Sequence, residues 1–129
     1  MASELSARSV LNAGDKMYNE EMLVSDNLKY FLKFEKSGDL VLYEKASLDK
    51  KWSTETAGTA SRLAFMQPDG NFALYNASRP TWHTDTASSY NHYFYYLKLD
   101  DDGRLGVWDT RTNNLMWSSF YGKHYWGRV

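Results

Sequence analysis

One unit occurs three times along this chain, and that repetition limits the fold more than any other feature. Residues 31–43 read FLKFEKSGDLVLY and are followed by Trp52. Residues 63–75 read LAFMQPDGNFALY and are followed by Trp82. Residues 95–108 read YYLKLDDDGRLGVW and are followed by Trp117. Each unit is an apolar run, a turn around Gly38, Gly70 or Gly103, and an alternating apolar run that ends in an aromatic. Glycine at the turn supplies positive φ without a steric penalty, and apolar runs on both sides of such a turn make a β-hairpin. The terminal aromatics Tyr43, Tyr75 and Trp108 recur roughly every 32–33 residues, a period that marks a repeat architecture.

A hairpin plus one further strand carrying the tryptophan cannot bury its apolar face alone. Three such sheets facing one axis can. Trp52, Trp82 and Trp117 are then expected to meet at that axis, because a threefold core needs the same large side chain three times. The stretch before the repeats, with Leu11, Gly14, Met17 and Leu23, is expected to add a strand or two to the third sheet. The aromatic tail around Phe120, Tyr121, Tyr125 and Trp126 is too apolar to stand in water and is expected to dock.

Composition agrees. The 129 residues fit one domain, here 1–129, with repeats over about 28–56, 60–87 and 92–119. Aromatics make up 16%, which favours strands. There is no cysteine, which removes disulfides, thiolate metal sites and cysteine nucleophiles. A net charge of -1 lacks the basic footprint of a nucleic-acid binder. No stretch reaches the roughly 18 apolar residues of a membrane span, so no membrane insertion is expected. The first residues lack the apolar segment of a secretory signal, so a cytoplasmic location, with non-classical release as the route outward, is the expectation.

The chemistry concentrates in the second repeat. Gln67, Asp69, Asn71, Ala73 and Tyr75 alternate with core residues such as Phe72 and Leu74. The outer face thus presents two carboxamides, a carboxylate, a small apolar residue and a phenol. Such a set suits a sugar, whose hydroxyls need donors and acceptors and whose C–H groups need apolar contact. Any one of these residues alone reads better as part of a solvated turn. The run Asp100-Asp101-Asp102 reads as an acidic turn, because it lacks the ligand alternation of a calcium loop. His83, His92 and His124 show no metal or triad spacing, and His83 reads as a plain strand residue. Asn76 opens a glycosylation sequon that is expected to stay unused. No hydrolase or nucleotide motif appears, and a glycosidase would need two carboxylates across a cleft.

The second repeat, QPDGNFALY, resembles the Gln-x-Asp-x-Asn-x-Val-x-Tyr motif of the monocot mannose-binding lectins, the bulb-type or snowdrop-type family, and departs from it at Ala73. The resemblance covers roughly residues 10 to 120. It implies an all-β, β-prism II fold of three four-stranded antiparallel sheets with pseudo-threefold symmetry. It implies metal-independent, non-catalytic binding of α-mannose and mannose-rich glycans or glycoproteins, with no cofactor. Asp69 and Asn71 would hold the axial 2-hydroxyl, Gln67 the 3-hydroxyl and Tyr75 the 4-hydroxyl, with Ala73 against the ring carbons. The first repeat offers Glu35, Asp39, Val41 and Tyr43 as a weaker second site, with Ser37 at the position of Asp69. The third has Asp100, Asp102, Arg104, Gly106 and Trp108, where Arg104 and Trp108 are expected to block a monosaccharide. Similar lectins exchange a C-terminal strand, so residues 118–127 are expected to complete a partner's sheet in a homodimer with agglutinating activity. The alternative reading is a protein-interaction or assembly module on the same prism, with most sugar binding lost.

Overall fold

A computed structural model of the protein describes residues 8–88 and 94–123, and these form strands and turns with no helix. Thirteen strands are present among them. The leading segment gives β1 (Val10–Asn12), β2 (Lys16–Tyr18) and β3 (Met22–Val24). The first repeat gives β4 (Tyr30–Phe34), β5 (Leu40–Glu44) and β6 (Lys50–Ser53). The second gives β7 (Leu63–Met66), β8 (Phe72–Tyr75) and β9 (Pro80–His83). The third gives β10 (Tyr95–Leu99), β11 (Leu105–Asp109) and β12 (Asn114–Ser118), and a short β13 (Gly122–Lys123) follows.

The sheets run β3-β4-β5-β6, β2-β7-β8-β9 and β1-β10-β11-β12, the last extended at its edge by β13. All pairings are antiparallel. This is the expected prism of three four-stranded sheets, with a two-residue fifth strand on one of them.

The leading segment corrects one expectation. It does not simply add a strand or two to the third sheet. It gives one strand to each sheet, in the order third, second, first. Two tight turns make this happen. After β1, Gly14 takes φ 93 and the Asp15 carboxylate accepts the Asn12 N–H at 2.8 Å. After β2, the Glu21 carboxylate accepts the Tyr18 N–H at 2.8 Å, with Glu20 at φ 75. Each turn swings the chain about the axis to the next sheet, so Leu11, Met17 and Leu23 each enter the core from a different side.

The inward residues of all three sheets form one core, with Leu32, Phe34, Leu42, Met66, Phe72, Leu74, Leu97, Leu99 and Leu105 almost fully buried. Trp52, Trp82 and Trp117 meet as expected. Their ring centroids lie 5.5–5.6 Å apart and the planes cross at 67–77°. Edge-to-face contact of this kind contributes about 0.5–1.5 kcal/mol per pair beyond the burial itself.

The central strand of each repeat carries a bulge at the same place, between Leu42 and Tyr43, Leu74 and Tyr75, and Val107 and Trp108. A bulge bends its strand and re-aims the side chain that follows. It therefore sits directly before the aromatic that ends each repeat. The turn glycines seal the contacts between sheets. A methyl group on Gly70 would lie 2.9 Å from the Thr86 carbonyl and 3.2 Å from the Tyr95 ring, and one on Gly103 would lie 2.8 Å from the Tyr30 ring.

In the tail, β13 lies on β12 of its own chain, with Ser118 opposite Gly122 and Trp117 opposite Lys123. Phe120 and Tyr121, in the turn between them, are 50% and 77% exposed. His124, Tyr125 and Trp126 lie outside the described residues, as does the end of the stretch expected to exchange, 124–127.

Candidate functional site: three grooves on one prism

The outer faces of β5, β8 and β11, each with the turn before it, form three related grooves. The turn is built alike in all three. The side chain at its tip takes the N–H two residues on: Ser37 Oγ from Asp39 at 3.3 Å, Asp69 Oδ1 from Asn71 at 3.0 Å, Asp102 Oδ1 from Arg104 at 3.2 Å. Short polar side chains favour such turns because they capture local backbone donors.

In the second groove the structure brings Gln67, Asp69, Asn71 and Tyr75 into one hydrogen-bonded row. The Tyr75 hydroxyl donates to Gln67 Oε1. Gln67 Nε2 donates to both oxygens of Asp69, at 3.1 and 3.3 Å. Burial, and then the Asp69 carboxylate, push the Tyr75 phenol above its ordinary pKa and keep its proton in place. The internal bonds fix each group's remaining capacity. Gln67 Nε2 keeps a second hydrogen, Asp69 keeps lone pairs, and Tyr75 can still accept. Donors and acceptors thus alternate along the groove, which is what a row of hydroxyls requires.

Asn71 is held from behind by residues that reading the sequence did not single out. The Thr86 N–H donates to Asn71 Oδ1 at 3.3 Å, and the Thr84 hydroxyl lies 3.3 Å from the same oxygen. A backbone N–H only donates, so the carboxamide oxygen must face it and the NH2 must face outward. Thr84 also accepts the Phe72 N–H at 3.1 Å, and Thr86 donates to the Gly70 carbonyl at 2.6 Å. The signal was the pattern Trp-x-Thr-x-Thr at Trp82, Thr84 and Thr86, repeated at Trp52, Thr54 and Thr56.

Ala73 is 1% exposed. On the outer face its cross-strand partners are Phe65 and His83, so it forms a floor and the larger side chains make the walls. His83 is exposed, and its Nδ1 lies 3.3 Å from Asn71 Nδ2.

The first groove repeats this frame with different charges. Asp39 stands where Asn71 stands, and its Oδ1 takes the Thr54 hydroxyl at 3.1 Å and the Thr56 N–H at 3.2 Å. Glu35 stands where Gln67 stands and accepts the Tyr43 hydroxyl. That bond, with burial and the charges of Glu35 and Asp39, pushes the Tyr43 phenol up to about 12. Phe31 stacks on Tyr43 at 5.0 Å, and Val41 is fully buried as the floor. The carboxamide donors of the second groove are therefore acceptors here.

The third groove is filled by its own side chains. Arg104 binds Asp100 Oδ2 through Nε at 3.1 Å and Nη2 at 2.9 Å, and its guanidinium lies 5.4 Å from the Trp108 ring centre. A methyl group on Gly106 would lie 3.2 Å from Trp108 Nε1, so the indole lies close over the floor. That nitrogen is buried and has no hydrogen-bond partner among the described residues.

Among the described residues no three His, Asp or Glu side chains gather as metal ligands, and Asp100, Asp101 and Asp102 do not converge as a cation site.

No protein-family profile matches the chain. It is 31% identical over 110 residues to the B-type lectin plumieribetin of Scorpaena plumieri, spanning 84% of this chain and 92% of that protein. Among solved structures it is similar to the monomeric monocot mannose-binding lectins of Gastrodia elata, with TM-score 0.75, 30% identity, and 88% and 98% of the two chains covered. It is also similar to a domain-swapped lectin dimer from Mycobacterium smegmatis, with 38% identity, TM-score 0.50, and 84% and 95% covered.

Proposed function

Because the chain belongs to the B-type lectin family, we propose that it is a carbohydrate-binding lectin whose second groove takes α-mannose and the terminal residues of mannose-rich glycans. One observation carries this reading: Gln67, Asp69, Asn71 and Tyr75 form a single row with alternating donors and acceptors left over. By the family resemblance, Asp69 and Asn71 take the axial 2-hydroxyl, Gln67 the 3-hydroxyl and Tyr75 the 4-hydroxyl. The solved lectins of Gastrodia are described as mannose-binding, which supports the choice of sugar. The proposed binding needs no metal, because every group in the row acts through hydrogen bonds. It is also non-catalytic, because the row contains one carboxylate and hydrolysis of a glycoside needs two.

Retention on a mannan column, elution by methyl α-mannoside and indifference to a chelator are the expected results. Elution by galactose as effective as by mannose would overturn the assignment, because galactose misplaces the 4-hydroxyl.

Assembly is proposed as a homodimer. The support is the exposed pair Phe120 and Tyr121 beside the short edge strand β13. An open edge invites a strand from another chain. Two sites on one dimer would raise avidity for clustered glycans by roughly 10²–10⁴. A cytoplasmic location is proposed on the cysteine-free composition alone.

A further inference from the structure

The carboxamide of Asn71 is fixed on one side by a backbone donor, and this settles what its other side can do. Thr86 N–H, at 3.3 Å, requires the oxygen to face inward. The NH2 then faces the imidazole of His83, with Nδ2 and Nδ1 3.3 Å apart. Both hydrogens on Nδ2 are donors, so the ring nitrogen opposite must accept. The proton of the neutral imidazole is therefore on Nε2. One Asn71 hydrogen is spent on His83, and the second is left for a ligand.

From this geometry we infer that His83 is a positioning residue of the second groove: its Nδ1 holds the Asn71 amide so that Asn71 donates to the bound sugar while Asp69 accepts from it. The inference rests on the sugar-binding reading of that groove. The sheet brings His83 there. It ends the edge strand β9 opposite Ala73, whose small side chain leaves the imidazole beside the floor. The first groove lacks the device. Ser53 occupies the corresponding place opposite Val41, and its hydroxyl is used by the Glu55 N–H at 3.1 Å. There the residue beside it is Asp39, which has no amide to orient.

The test separates an acceptor from a mere space-filler. His83→Gln keeps an acceptor oxygen within reach, whereas His83→Phe keeps a ring and loses the acceptor. His83 is exposed at a sheet edge, so both variants are expected to fold, and His83→Val replaces the Phe variant if it does not. By calorimetry with methyl α-mannoside, His83→Gln should bind within about threefold of the parent, and His83→Phe about tenfold more weakly, which is about 1.4 kcal/mol. Equal binding by all three, or equal loss in both variants, would overturn the inference. A ligand-free readout guards against failure of the sugar assignment itself. In nitrogen-15 NMR spectra, one Asn71 side-chain amide proton should shift in His83→Phe and return toward its place in His83→Gln. If the parent binds no mannoside, the proposed function fails and the amide signal still decides. An Asn71 signal unmoved by His83→Phe counts against the bond.

Discussion

Asp39 and Asn71 occupy the same place in consecutive repeats, and each offers Oδ1 to the backbone N–H of a threonine, Thr56 at 3.2 Å and Thr86 at 3.3 Å. The backbone that builds a groove is thus shared, and the difference between the two lies in which atoms are left over. Four side-chain changes should therefore transplant the second groove into the first. Glu35→Gln, Ser37→Asp, Asp39→Asn and Ser53→His together should raise the number of methyl α-mannosides bound per chain from one to two in calorimetry. A stoichiometry that stays at one would show that Val41 and Tyr43 do not complete a site.

The second groove should fail when its row is broken. Asn71→Ala removes the donor to the sugar and leaves the Thr86 N–H without its acceptor. Mannoside binding should weaken by about 1–3 kcal/mol, enough to abolish retention on mannan. Asp69→Ala should do the same, since it also frees Gln67 Nε2. Retention of the Asn71→Ala protein would place the main site elsewhere.

Alkaline pH should test the Tyr43–Glu35 bond. The Tyr43 phenol is pushed up to about 12 in the folded protein, first by its hydrogen bond to Glu35. An unfolded tyrosine ionises near 10. Below about pH 10 the bond's full contribution is present. Above it the unfolded state releases a proton that the folded state keeps, and stability falls until about pH 12. Tyr43→Phe should flatten the decline of the urea midpoint over this interval. A decline of unchanged slope would dissociate Tyr43 from it.

Gly70→Ala should link stability to function. At φ 98 any side chain is strained, and a methyl there meets the Thr86 carbonyl at 2.9 Å. The N–H of the same residue holds Asn71, so a shift of the Thr86 backbone should lower both melting temperature and mannoside affinity. Gly58→Ala has a similar φ of 86 with open space around it. It should cost only about 1 kcal/mol of backbone strain and leave binding intact.

The axis should dominate stability. Trp117→Ala should cost about 3–5 kcal/mol in urea denaturation, the usual range for deleting a core aromatic. A loss below about 1 kcal/mol would mean that the three indoles are not the keystone of the core.

How far the sequence could be read follows from what repeats. The hairpins, the turn glycines and the meeting of Trp52, Trp82 and Trp117 were legible because each signal occurs three times at one period. The residues of the second groove were legible because they alternate with Phe72 and Leu74. The distribution of β1, β2 and β3 over three sheets was not, since Leu11, Met17 and Leu23 fit any sheet and only the turns at Gly14 and Glu20 decide. The bulge before Tyr75 depends on a register that no local pattern encodes. His83 reads as a plain strand residue in the sequence because its partner, Asn71, lies twelve residues away, just before another strand. The burial of Ala73 was hidden because alternation predicts which face a residue takes, not what its neighbours cover.

The distribution of the leading strands has a consequence for synthesis on the ribosome. Val10 pairs with Lys98, Met17 with Ala64 and Leu23 with Leu32, so the earliest strand to emerge has the latest partner. The three sheets are completed in reverse order of the strands that close them. Leu23 finds its partner within ten residues, but Val10 and Leu11 must wait, unpaired, until most of the chain has been made. Long-range pairing of this kind slows folding and exposes strand edges meanwhile. The nascent protein is therefore expected to depend on holdase chaperones until Lys98 has left the exit tunnel.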